Sequence, residues 1–233
     1  MKFLIWVIYI LFIRRLIYLG KRRTIGKSLP VACAIISLFL NNCFELSSLQ
    51  SAKLLAKNKL NIMPEYSSVM YTHTGKLKQI SNSFGFQCGY GLMNSFNIFI
   101  KYARLEIPEY TVGYNYLCVE PKFRLIKNSI AFSMPLCCYF GENIDFIESG
   151  NVQPTFYYTC SINNWIDITI APKAVIFFPS FNNILVVNIN TGIHLFSDKL
   201  QLMPEIGYGF KLNSKDQFLI GNIGIGFTYY FTK

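Results

Sequence analysis

Apolar and polar residues alternate one for one along most of this chain, a period of two that is typical of β-strands. The last such segment, residues 222–231, has one wholly apolar and aromatic face, made of Ile223, Ile225, Phe227, Tyr229 and Phe231. Its other face carries mainly small residues, among them Gly224. A final strand with an apolar, aromatic-ended face is expected where a membrane barrel closes its last strand against its first.

The same alternation predicts about ten strands. They fall near residues 60–72, 80–91, 95–106, 114–126, 129–140, 153–161, 165–174, 185–196, 200–210 and 218–231. Most of these segments have close to the ~9–11 residues that a tilted strand needs to cross a bilayer. The predicted fold class is therefore all-β, a single up-and-down antiparallel transmembrane β-barrel preceded by an apolar leader.

The predicted links between strands differ in length from one end of the barrel to the other. Short turns at 92–94, 127–128, 162–164 and 197–199 alternate with longer links at 73–79, 107–113, 141–152, 175–184 and 211–217. Outer-membrane barrels have short turns in the periplasm and long loops outside. An even number of strands then brings both barrel termini to the periplasmic end.

One face of each predicted strand is apolar, whereas the other holds glycine, asparagine, threonine and nearly every strand charge. Periodicity alone also fits a soluble barrel with an apolar interior. A ten-stranded lumen, however, has no room for the 21 Phe and 15 Tyr of this chain. A charge on the lipid face would cost ~2–4 kcal/mol at mid-membrane, so the charges are expected in the lumen.

Eight charged residues are predicted to point into that lumen. They are Glu65, Lys101, Glu120, Lys122, Arg124, Asp167, Lys173 and Glu205. Because unpaired buried ions are costly, opposite charges should pair and fill the lumen as a rigid plug. The alternative is a selective constriction in a small pore or transporter for small solutes.

Several of these charges directly follow a proline. The pattern occurs at Met63-Pro64-Glu65, Glu120-Pro121-Lys122, Ala171-Pro172-Lys173 and Met203-Pro204-Glu205. Proline cannot donate a hydrogen bond to a β-ladder, so these sites are expected to be bulges or strand ends. A bulge can re-aim the next side chain towards the lumen.

The first part of the chain differs from the rest in charge and hydropathy. Residues 1–42 hold seven of the 22 Lys and Arg and no acid, so the remainder carries 15 basic against 12 acidic residues. Basic residues followed by the apolar run 29–40 are typical of a secretory signal, and an N-terminal anchor helix is the alternative. We therefore divide the chain into a signal or leader (1–42), a polar periplasmic tether (43–58) and the outer-membrane barrel (59–233).

The end of the apolar run resembles a bacterial lipoprotein processing site. In the sequence Leu40-Asn41-Asn42-Cys43 the leucine fits that site and Asn42 departs from it. Cys43 is thus a lipidation candidate, with an incidental cysteine as the alternative. The other cysteines form no C-x-x-C pair and lie mostly in apolar runs, which indicates small buried hydrophobes and no disulfide framework.

No catalytic, metal-binding or cofactor-binding pattern is present, and we expect a non-enzymatic protein without a cofactor. The two histidines, His73 and His194, have no Ser or Asp partner at triad spacing. Ten-stranded outer-membrane proteases need a cluster of His and Asp residues at the outer rim, and His73 is the only histidine of this chain that could belong to one. The basic excess belongs to the leader, which argues against a nucleic-acid partner.

The segment Asn222-x-Gly224-x-x-Phe227-x-Tyr229, extended to Phe231, resembles the C-terminal signal that outer-membrane barrels present to their assembly machinery. Together with the strand pattern and a lipoprotein-like start at Cys43, it makes residues 43–233 similar to Gram-negative outer-membrane β-barrel proteins with a lipoprotein-type N-terminus. That resemblance implies a place in the cell outer membrane, with lipid and the barrel-assembly machinery as partners. It implies no particular activity and no identified extracellular partner, so a structural or surface-interaction role is expected.

Overall fold

The computed structural model describes residues 45–73, 76–108, 112–141, 149–178, 183–195, 199–212 and 219–231. Residues 1–42 and the lipidation candidate Cys43 lie outside this part of the chain. The described residues from Glu45 onward belong to one compact unit. They form β-strands and connecting segments, and no helix among them is long and apolar enough to cross a membrane.

Twelve strand segments follow one another along the chain. They are β1 (Leu60–His73), β2 (Lys76–Met93), β3 (Phe96–Ile107), β4 (Val112–Ile126), β5 (Ile130–Ser133), β6 (Leu136–Phe140), β7 (Asn151–Val152), β8 (Thr155–Ser161), β9 (Ile166–Phe177), β10 (Ile184–Leu195), β11 (Leu200–Lys211) and β12 (Leu219–Phe231). β5 and β6 both pair with β4, and β7 and β8 both pair with β9. Each of these two pairs is therefore a single barrel strand in two halves, which leaves ten barrel strands.

The sheet closes on itself through antiparallel pairs only. β12 pairs with β1 from Leu60 opposite Phe231 to Thr72 opposite Leu219. β10 joins β9 to β11, so the ring has no free edge. The structure confirms the predicted closed ten-stranded barrel and the closure of the last strand on the first.

The strand interruptions correct our expectation for the proline sites. β1, β4, β9 and β11 run through their prolines, as where Pro64 stands opposite Phe86 in the β1–β2 ladder. The two breaks fall instead next to Pro135 and Pro154. A single proline removes only one donor, and the ladder on the strand's other side continues.

The strand ends also correct two predicted loops. β1 ends at His73 and β2 begins at Lys76, where we expected the long link 73–79. The link between β3 and β4 is likewise only residues 108–111. These strands continue past the residues that show apolar alternation. The hydropathy pattern therefore predicts only the membrane-crossing part of each strand.

The two faces of the barrel have opposite polarity. Large apolar side chains project outward, and Phe84, Ile100, Phe156, Tyr208 and Ile223 are each at least 45% exposed. Stacked or edge-on aromatic pairs lie at the short-turn end, such as Phe96 with Phe123 and Tyr229 with Phe231. An apolar belt bordered by aromatic residues fits lipid rather than water, and it places the barrel in the outer membrane as predicted.

Candidate functional site: the occupied lumen

A stretch of the chain itself fills the lumen. Residues 45–57, which we call the plug segment, precede β1, and Glu45, Leu46 and Ala52 in it are no more than 1% exposed. We expected residues 43–58 to be a periplasmic tether, and the structure corrects this for residues 45–57. The physical reason is that the lumen charges and amides bind this polar backbone in place of water.

The plug segment enters β1 at the short-turn end. Lys57 N–H donates to Asn94 Oδ1 (3.1 Å) and Asn58 N–H donates to Gly91 O (2.7 Å). Asn58 has a φ of +61°, a left-handed conformation that asparagine tolerates better than most residues. This turn carries the chain out of the lumen and into the wall.

Small wall residues make room for the plug segment. Ala52 packs against Ala131 and Ala171, which are fully buried, and against Tyr157. A ten-stranded barrel lined by larger side chains would fill its own lumen. The alternation of small inward residues with large outward ones thus creates the space that the plug segment occupies.

Glu45 and Ser47 are held in the upper part of the lumen. Lys101 Nζ donates to Ser47 Oγ (3.0 Å), lies 3.6 Å from Glu45 Oε1 and pairs with Glu65 on the wall. Ser67 Oγ donates to Glu45 Oε1 (3.0 Å). The lysine therefore lies between a wall carboxylate and a plug carboxylate, and each neutralises part of its charge.

Glu205 binds the backbone of the plug segment directly. Its carboxylate accepts hydrogen bonds from Ser48 N–H (3.0 Å) and Leu49 N–H (2.7 Å). It also accepts from Asn222 Nδ2 (3.1 Å), and Asn188 Nδ2 donates to Leu46 O (2.8 Å) nearby. A carboxylate that accepts hydrogen bonds from two successive backbone N–H groups fixes the orientation of the chain. It also satisfies two buried N–H groups that would otherwise need water as a partner.

Gln50 joins the plug segment to the next pair of charges. Its Nε2 donates to Glu120 Oε2 (2.7 Å), and its Oε1 accepts from Lys122 Nζ (2.6 Å). Lys122 Nζ also donates to Ser51 O (2.6 Å) and lies 3.8 Å from the centre of the Tyr157 ring. One neutral amide thus connects a buried carboxylate to a buried ammonium group.

The lower end of the plug segment meets an acid–histidine pair. Lys53 Nζ lies 2.7 Å from Asp167 Oδ2, and His194 Nε2 lies 2.6 Å from the same oxygen. Just above, Ala52 N–H donates to Thr159 Oγ1 (2.7 Å). Asp167 therefore binds the plug segment through Lys53, and His194 binds Asp167. No cluster of three or more potential metal ligands of the His, Cys, Asp and Glu types lies among the described residues.

Seven of the eight predicted lumen charges surround the plug segment or a partner of it. Glu65, Lys101, Glu120, Lys122, Asp167 and Glu205 have the contacts given above, and Lys173 Nζ donates to Ser47 O (3.2 Å). Arg124 lies apart from this set, at the short-turn rim, where its backbone N–H donates to Ser95 O (2.9 Å). In the predicted assembly signal, Gly224 faces inward and Phe227, Tyr229 and Phe231 project outward from β12.

The burial of the plug residues and the wall amides that bind them were not predicted from the sequence. Asn97, Asn188, Asn190 and Asn222 are at most 1% exposed, and Asn190 Nδ2 donates to Gln50 O (2.9 Å). Two signals were available in the sequence. The predicted inward positions are rich in Asn, Gly and Ala, and the tether contains four leucines between residues 46 and 55, more than a solvated linker requires.

The cysteine expectation also needs a correction. Cys118 on β4 stands directly opposite Cys137 on β6, and the two sulfurs form a disulfide. The two cysteines are 19 residues apart in the sequence and lie side by side because their strands are neighbours in the barrel. Periodicity predicts the inward direction of each side chain but not which inward residues become cross-strand neighbours.

Gly207 offers a test of how tightly the wall amides are held. It lies on β11 between Asn188 and Asn222, and a Cβ at this position would collide with both amide oxygens. We expect Gly207→Ala to lower the free energy of unfolding by about 1–3 kcal/mol, the usual cost of overpacking. Urea unfolding in lipid vesicles would measure it.

Gly221→Ala is the matched control for that change. A Cβ at Gly221 would have its nearest neighbour, Gly207 O, at 3.9 Å, so the barrel should accept it with little change in stability. Equal unfolding midpoints for the two alanine variants would contradict the tight placement of the two asparagines.

Known proteins similar to this chain are found only among solved structures. No protein-family model and no curated sequence matches the chain. Among solved structures it is similar to Ail, the attachment invasion locus protein of Yersinia pestis, at 14% identity over 75% of this chain and 99% of that one, with a TM-score of 0.34. An outer-membrane channel of Pseudomonas putida F1 gives 8% identity over 81% and 100%, with a TM-score of 0.43.

The outer-membrane protease OmpT of Escherichia coli is also similar, at 9% identity over 78% of this chain and 100% of that one, with a TM-score of 0.38. The closed sheet, the apolar exterior and the polar interior of this chain make it an outer-membrane β-barrel protein.

Proposed function

We propose that this protein is a closed, non-enzymatic outer-membrane barrel with a structural or surface-interaction role. The observation that supports the proposal is the plug segment. Side chains from β3, β4, β9, β10 and β11 bind it at successive depths, from Lys101 in the upper lumen to Asp167 at the lower end. A path for ions through this lumen would require breaking several buried charge-assisted contacts.

The alternative role is a small pore or transporter for small solutes, and it requires the plug segment to leave the lumen.

The proposal of a non-enzymatic role is supported by the contacts that the polar groups of the lumen make with the plug segment. Asp167 and His194 form the one acid–histidine pair in the described part of the chain, and Asp167 also pairs with Lys53 of the plug segment. Asp167 is thus engaged in holding the plug segment.

Reconstitution in planar lipid bilayers tests the proposal. We expect the wild-type protein to insert, as shown by heat-modifiable migration on a gel, and to give no steady conductance. A fixed open-channel current from the wild type would overturn the closed-barrel proposal and favour the pore. Swelling of protein-loaded vesicles in small sugars provides an independent readout for uncharged solutes.

A further inference from the structure

A cavity of about 220 Å³ lies in the lower lumen, between the plug segment and the barrel wall. It reaches the last rungs of the strands, since Tyr230 on β12 and His194 on β10 contribute to its lining. These residues belong to the short-turn end, which faces the periplasm in outer-membrane barrels. The cavity is therefore a recess on the periplasmic side of the plug.

The inner part of the recess is apolar. Leu49 from the plug segment packs with Met63 on β1 and Met203 on β11, and Phe99 on β3 completes the surface. Methionine adapts its shape to different apolar partners, because it is unbranched and its sulfur is polarizable. An engineered apolar cavity of about 150 Å³ holds benzene, so this recess suits a substituted benzene ring or a chain of about six to eight carbons.

Polar side chains also face this recess. The Gln87 side chain is only 4% exposed and lines the cavity. Asn61 Oδ1, also in the lining, is buried and has no hydrogen-bond partner. Buried amides are normally satisfied, so the free Asn61 oxygen in a lining that also holds Gln87 points to a ligand group that can donate a hydrogen bond.

The charged side chains around the recess already have hydrogen-bond partners. Lys122 Nζ donates to Gln50 Oε1 and Ser51 O, and Lys53 pairs with Asp167. A charged ligand would lose its hydration without gaining a free counter-charge. The chemistry of the lining therefore selects an uncharged polar group.

We propose that this recess is a binding site for a small neutral amphipathic molecule that enters from the periplasm. Its apolar body lies on Leu49, Met63 and Met203, and its hydroxyl or amide group hydrogen bonds to Gln87. The site exists with the plug segment in place, so it is compatible with a closed barrel. It adds a ligand-binding role to the structural role proposed above.

Methyl-labelled methionine makes this site directly observable in the full-length protein in lipid nanodiscs. Titration with benzyl alcohol should shift the methyl resonances of Met63 and Met203 to saturation. Met93 and Met134, 60% and 43% exposed, report partition of the probe into lipid. Parallel, non-saturating shifts of all four methyl groups would overturn the proposal.

Gln87→Leu separates hydrogen bonding from apolar contact. We expect it to weaken benzyl alcohol binding about three- to tenfold, the loss of one hydrogen bond, and to leave toluene binding unchanged or stronger. Gln79→Leu, the same change at an exposed glutamine, is the matched control. Unchanged benzyl alcohol affinity in Gln87→Leu would contradict the assigned contact.

Thr228→Leu provides a second variant if the first does not fold. Thr228 lines the cavity and is 2% exposed, so a leucine there reduces the available volume. Binding of both probes should weaken together. Retention of wild-type affinity for both would show that they bind elsewhere.

Discussion

Replacing Glu205 with alanine should convert the closed barrel into a conducting one. The carboxylate accepts hydrogen bonds from Ser48 N–H, Leu49 N–H and Asn222 Nδ2, and all three partners are buried. Each hydrogen bond to a charged group contributes about 1.5–3 kcal/mol, so the plug segment should lose at least about 3 kcal/mol of attachment. That loss raises the displaced population by about a hundredfold or more.

Single-channel recording would show the effect as open events that the wild type lacks. Glu205→Gln keeps one acceptor oxygen and should give an intermediate open probability. Glu106→Ala is the matched control, because Glu106 is exposed on β3 and its loss should leave the barrel closed. A folded Glu205→Ala barrel that stays as silent as Glu106→Ala would contradict the assigned attachment.

Asn188→Ala tests the same attachment without removing a buried charge. Asn188 Nδ2 donates to Leu46 O and to Ser48 Oγ, each at 2.8 Å. We expect brief openings, fewer than in Glu205→Ala, because two neutral hydrogen bonds to the plug segment contribute less than the two charge-assisted ones from Ser48 and Leu49. Wild-type silence in both variants would place the attachment elsewhere along the plug segment.

Strand number and closure could be predicted from the sequence because lipid and lumen impose opposite polarity on alternate residues. A one-residue error in strand phase would expose charges such as Lys101 or Glu120 to lipid, so the phase is strongly constrained. The same constraint ends where a strand leaves the membrane. That is why the first residues of β2, beginning at Lys76, were predicted to be loop.

The plug segment could not be predicted in the same way. Its serines, Gln50 and its lysines have the composition of a solvated tether, and burial in a polar lumen satisfies the same groups that water would. Charge pairing was expected from wall to wall, and Lys101 with Glu65 is such a pair. The contact between Glu120 and Lys122 instead runs through Gln50, a long-range neighbour that no periodicity indicates.

Replacing Lys122 with methionine should cause a comparably large loss, this time in the stability of the barrel itself. Lys122 is 1% exposed, and its ammonium group holds Gln50 Oε1, Ser51 O and the face of the Tyr157 ring. The donors to the buried Glu120 carboxylate, Gln50 Nε2 and Tyr157 Oη, are neutral, so without Lys122 it loses the positive charge that Gln50 connects to it. Removing one partner from a buried charge pair typically costs about 3–5 kcal/mol, and we expect that decrease in the free energy of unfolding.

A double-mutant cycle with Glu120→Gln identifies the cause of that loss. If the cost arises from an uncompensated carboxylate, the double variant Glu120→Gln/Lys122→Met should be more stable than the sum of the single changes predicts. Lys127→Met, at an exposed turn position, is the matched control and should change stability by no more than about 0.5 kcal/mol. Strict additivity in urea unfolding would mean that Lys122 acts through packing on Tyr157, because an electrostatic partner must show coupling to Glu120.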